Sequence, residues 1–110
     1  MKSGIEEEVS TLRSKILRRK DCEIISQYSG FPVDMVELIK VHLLSRVLSE
    51  PVEVQLSILN SWNRLYSRNA SVNDFTLLSR SRLELMYILE GRTLEESRRL
   101  SSRRFYYSTR

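Results

Sequence analysis

The sequence predicts an all-α protein, a small multi-helix domain with a helix-turn-helix-like corner, associating as an intertwined or helix-packed dimer. Three observations carry this. Apolar residues recur at steps of three and four along most of the chain, as one face of a helix requires. Only 3 Gly and 2 Pro interrupt 110 residues, and 41% are hydrophobic against 29% charged, which suits a packed helical domain rather than a disordered one. Residues with helix-start chemistry precede several of the periodic runs. A chain of this length is expected to form one domain, residues 1–110, that hides roughly two thirds of its unfolded surface, so a partner subunit adds usefully to its burial.

The elements follow in order. Residues 5–17 place Ile5, Val9, Leu12 and Ile16 on one stripe of an otherwise charged helix. A short second helix over 22–29 ends at Gly30, the residue best able to take the left-handed conformation, and Pro32 blocks simple continuation. Asp34 with Glu37 resembles a capping box for a third helix over roughly 35–48. That helix is apolar round most of its circumference, so two readings stand: a central core helix, or a helix with a docking face made of Met35, Ile39, Leu43 and Val47, joined by Trp62.

Pro51 suits the first turn of a fourth helix running to about residue 67, with Val52, Leu56, Leu59, Trp62, Leu65 and Tyr66 on its stripe. Val52, Val54, Leu56 and Ile58 also alternate, which leaves a short strand open there. "SRNASVND", residues 67–74, reads as a loop, and Ser79 as the cap of a helix over 80–90 with Leu83, Met86, Tyr87 and Leu89 inward. Gly91 ends it. Thr93 and Glu96 form a T-x-x-E capping box, so a last helix starts at Leu94, with an interruption expected near Ser101 and Ser102.

The spacing of Ser26, Gly30, Phe31, Val36 and Ile39 matches a helix-turn-helix: a small residue lets the helices cross closely, and the apolar positions anchor the second helix. Its chemistry does not suit DNA. Asp34 and Glu37 stand at the start of the would-be recognition helix, with only Lys40 to offset them. The stretch therefore reads better as a structural corner than as a groove reader.

The net charge of +4 is unevenly spread. Residues 13–20 hold Arg13, Lys15, Arg18, Arg19 and Lys20 without an acid, and the chain from Arg98 onward is equally free of acids. Residues 21–79 carry 7 acids against 4 bases. Clustered cations suit phosphates, since each releases a condensed counterion on binding. The candidate nucleic-acid contacts are Arg98, Arg99, Arg103, Arg104, Tyr107 and Arg110 at one end and Arg18 and Arg19 at the other. The alternative is an aromatic last helix docked on the core with its arginines in water.

Several classes are not expected. There is no Gly-rich phosphate loop, and His42 stands alone inside an apolar helix, so no enzyme is predicted. One cysteine, Cys22, and one histidine supply neither an internal disulfide nor a zinc-ligand set, and no cofactor is implied. "MKSGIEEEVSTL" has glutamates where a secretory signal needs an apolar core, and no run approaches the ~18 apolar residues of a membrane span, so a cytoplasmic protein without a membrane partner is expected.

The order of features resembles FlhD, the smaller subunit of the bacterial flagellar master activator. The likeness rests on Asp21, nine residues before Gly30, then Phe31, Asp34 and Met35. It continues through Pro51, Val54, Leu56, Ser57 and Asn60, then Phe75, Thr76, Leu78, Ser79, Ser81 and Arg82, and ends at Ser97, Arg99 and Leu100. It covers residues 21–100 with gaps; the stretch "EEEVSTLRSKILRRK" departs from it, and Cys22 does not match the family's intersubunit cysteine. The resemblance implies an all-helical homodimer that joins an FlhC-like regulator subunit and activates transcription, the partner subunit supplying most of the DNA recognition. The competing expectation is a helical adaptor or chaperone that binds no nucleic acid.

Overall fold

In the computed structural model, residues 4–108 are described, with side chains through Ser102. Among them six α-helices follow one another without a strand: α1 Gly4–Arg18, α2 Cys22–Ser29, α3 Val33–Arg46, α4 Val52–Arg64, α5 Val72–Leu89 and α6 Leu94–Ser108. A single 3-10 turn, Val47–Ser49, extends α3. The alternation of Val52, Val54, Leu56 and Ile58 lies in α4 and not in a strand, because Leu59 and Trp62 complete a helical stripe that the core buries.

The first helices form as their local signals dictate. Val9 and Ile16 are the buried part of the α1 stripe. Gly30 takes φ +78° and its N–H donates to the Ser26 carbonyl at 3.0 Å, closing α2 with the left-handed residue its sequence promised. The start of α3 differs from expectation. Pro32 is the cap, the helix begins at Val33, and neither Asp34 nor Glu37 caps it. Proline's fixed φ pre-sets that entry, so the acids fall inside the first turns and face solvent.

The largest departure is α5, which begins at Val72 rather than near residue 80. Ser71 caps it in a true capping box: the Asp74 N–H donates to the Ser71 hydroxyl at 3.3 Å, and the Ser71 N–H to the Asp74 carboxylate at 2.9 Å. Asp74 is 1% exposed. It also accepts from the Ser61 hydroxyl at 2.6 Å and from Arg64 at 2.9 and 3.0 Å, so one carboxylate ties the α4 end to the α5 start. The Arg64 guanidinium, with Ser61 and the Ser71 amide, holds the Asp74 carboxyl well below the usual carboxylate range. At the other end Gly91 turns at φ +98°, and the Glu96 N–H donates to the Thr93 hydroxyl at 3.1 Å to begin α6. No interruption follows at Ser101 and Ser102, where α6 continues. Ser97 and Ser101 are buried, small residues on one side of the helix that packs along α5.

The core joins α1 to α5 through Ile16, Ile25, Val36, Ile39, Leu43, Leu59, Trp62 and Leu78, among others. Trp62 is fully buried and its Nε1–H donates to the Tyr66 hydroxyl at 3.1 Å. The Arg19 guanidinium lies 4.1 Å from the Tyr66 ring centre, closing that corner with a cation–π contact. Burial pushes the Tyr66 phenol and the Cys22 thiol up from their ordinary values.

Replacing Asp74 with Ala removes a helix cap and leaves the buried Ser61 hydroxyl without its acceptor, so guanidinium unfolding should show a loss of about 2–4 kcal/mol. Because the folded-state pKa of Asp74 is depressed, its contribution is fully present above the unfolded value of about 4 and is lost as pH falls below it. Acid titration of stability should therefore be shallower in Asp74→Asn than in the parent chain. At Gly30 an alanine meets open space but a strained φ, and should cost about 1 kcal/mol in the same assay.

Candidate functional site

The α2–α3 corner is held by polar groups as much as by packing. The Ser26 hydroxyl donates to the Phe31 carbonyl at 2.6 Å, and Val36 and Ile39 are buried beneath the turn. Asp34 and Glu37 point to solvent. Lys40, the base expected to offset them, is 7% exposed and donates through Nζ to the Arg19 carbonyl at 2.7 Å. Its charge serves the C-terminal end of α1 and leaves the start of α3 acidic.

The two basic ends behave differently from one residue to the next. Arg18 is exposed at the end of α1, as are Lys15 and Lys20. Arg19 is engaged by Asp21 through bonds of 2.7 and 2.8 Å, a fork pairing that depresses the Asp21 carboxyl below its ordinary value. Arg13 donates to the Leu44 carbonyl at 3.2 Å. Arg98 donates to Glu50 at 2.7 Å, while Arg99 is exposed. The side chains of Arg103, Arg104 and Tyr107, and the whole of Arg110, lie outside the described residues.

The expected docking face requires correction. Ile39, Leu43, Val47 and Trp62 are at most 1% exposed and belong to the chain's own core, so they present nothing to a partner in this fold. Met35 is half-buried, its sulfur 3.3 Å from the Arg82 Nε. Of the two readings of α3, the core helix is the one that these residues follow: the arc that meets α1, α2 and α5 is the one named as a docking face. What remains outside is Leu38 at 56%, Val41 at 58% and, on the 3-10 turn, Leu48 at 58%. Their spacing of three and seven keeps them on one side. Leu17 at the end of α1, 53% exposed, shares a shallow depression with Val41, rimmed by Lys20 and Glu37.

A second feature has no counterpart in the sequence reading. Glu84 of α5 is 4% exposed and accepts from the His42 Nε2 at 2.8 Å and from the Arg46 Nε at 3.1 Å to its other oxygen. Arg46 also lies 3.7 Å from Glu50, which in turn takes Arg98. The relay His42, Glu84, Arg46, Glu50, Arg98 thus runs from α3 across α5 to α6, and its members other than His42 line a cleft of about 290 Å³. His42 is not isolated: it anchors a buried carboxylate. Its partner stands 42 residues away, and no local pattern could have joined them.

Among the described residues no group of three or more His, Cys, Asp or Glu is placed to hold a metal ion, and no helix is long and apolar enough to cross a membrane. Comparison with protein-family models, curated proteins and solved structures finds no match.

Truncating Glu84 to Ala leaves His42 and Arg46 partly buried without their carboxylate. A loss of about 2–4 kcal/mol in denaturant unfolding is expected, and Glu84→Gln should recover part of it by keeping hydrogen-bond acceptors.

Proposed function

We propose that the chain is a helical subunit of a transcription regulator, which docks on a second copy of itself through the outer arc of α3. Exposed cations of its basic ends then contact DNA phosphates. The observation that carries the docking is the row Leu38, Val41 and Leu48 with Leu17 beside it, each more than half exposed. Large apolar side chains grouped on one side of a small protein mark an interaction surface far more than the same residues scattered singly. Charge supports a second copy as occupant. Beside this row Glu37 and Lys20, both exposed, rim the depression that Leu17 shares with Val41. A two-fold approach sets the acid of each copy against the base of the other, as a self-complementary interface requires.

The DNA part rests on Arg18, Lys20 and Arg99, which are exposed, and on the acid-free runs 13–20 and 98–110. The resemblance to FlhD supports the same assignment, a regulator subunit that works through protein contacts with an FlhC-like chain. A second reading, an adaptor or chaperone without nucleic acid, draws on the pairing of Arg19 with Asp21 and of Arg98 with Glu50. Guanidiniums already satisfied by carboxylates gain less from a phosphate.

Two measurements decide. Light scattering after gel filtration should give a dimer for the parent chain and a folded monomer for Val41→Asp, since a charge buried at an interface is costly; an unchanged mass in both removes the docking face. In gel shifts at rising salt, the double variant Arg18→Gln and Arg99→Gln should bind more weakly and lose about two units of slope in log K against log salt. Absence of any shift, alone or with a partner regulator, leaves only the adaptor reading.

A further inference from the structure

The cleft at the end of the charged relay has a composition that the folding role of the relay does not use. Val54, Ile58 and Leu77 form its apolar floor, and the rest of its lining is polar, chiefly the guanidiniums of Arg46, Arg80 and Arg98 with the carboxylates of Glu50 and Glu84. At about 290 Å³ it is close to the lower end of small-molecule sites and more polar than most of them, which suits a ligand with a charged head. Both carboxylates are already engaged: Glu84 by His42 and Arg46, and Glu50 by Arg98 at 2.7 Å with Arg46 at 3.7 Å. Arg80 is exposed, and its one bond among the described groups goes to the Ser102 hydroxyl, a neutral partner. Three guanidiniums against two carboxylates leave the rim with one unbalanced positive charge, and Arg80 is where it resides.

We infer that this cleft binds a small organic carboxylate with an apolar body of about six to eight carbons. Arg80 holds the head group, with the Arg98 guanidinium beside it still 40% exposed, while the body lies on Val54, Ile58 and Leu77. The arrangement calls for both parts of the ligand. A bare anion leaves the floor wet, and an uncharged alkyl chain leaves Arg80 with only its serine.

The test is an amide-resonance titration of the full chain with hexanoate, hexanol and inorganic phosphate as separate probes. Hexanoate should move the signals of Leu77, Arg80, Ser81 and Ser101 to saturation, and the other two probes should leave them in place. Arg80→Gln, a surface change, should weaken hexanoate at least tenfold, and Val54→Ser at the 40% exposed edge of the floor should weaken it severalfold. Equal shifts with phosphate, equal shifts with hexanol, or an unchanged hexanoate affinity in Arg80→Gln would each overturn the assignment. The fold control is an unchanged spectrum outside the cleft in both variants.

Discussion

The protein's organisation depends on how α3 is covered. This helix is apolar over most of its circumference, yet only one arc of it meets α1, α2 and α5. Burying Val36, Ile39, Leu43 and Val47 there contributes about 1.5–3 kcal/mol for each side chain, and that gain selects which arc turns inward. The remaining apolar positions, Leu38, Val41 and Leu48, are then left outside by geometry. A helix apolar nearly all round that one chain covers on one arc leaves this row exposed, and the proposed dimer would cover it.

Polar contacts fix the other helices around this core. Asp74 joins α4 to α5 by accepting from both helices, and Glu84 joins α3 to α5 while Glu50 extends the tie to α6. Lys40 does the same for the end of α1. Each is a buried or half-buried charge whose partners come from a different element, so removing one partner leaves the other desolvated. α6 differs from the rest: among its described side chains none joins the apolar core, and it rests on α5 with Ser97 and Ser101 buried and Arg98 paired to Glu50.

Local structure is largely legible in the sequence. The α1 stripe, the Gly30 and Gly91 turns, the α4 stripe and the Thr93 start all follow from spacing and turn chemistry within a few residues. Residues 72–79 are not, because Val72, Asn73 and Asp74 look like a loop unless Ser71 and Asp74 are seen as a capping box whose acid is paid in full by Ser61 and Arg64. The serines at 101 and 102 suggest a break, whereas Ser101 is a buried position within α6, its hydroxyl donating to the Arg98 carbonyl at 3.1 Å. The candidate site is the least legible. Sequence shows that α3 is apolar all round, but which arc is free depends on the neighbours, and His42, Glu84 and Arg46 meet only through tertiary packing.

In the proposed dimer the outer arc of α3 is covered by the second copy. Hydroxyl-radical footprinting over a dilution series measures it at side-chain level, with Val72, 81% exposed, and Leu89, 69% exposed, as controls away from the row. The account predicts that Leu38, Val41, Leu48 and Leu17 lose reactivity together as concentration rises while Val72 and Leu89 do not change. Equal reactivity of all six at every concentration would contradict it.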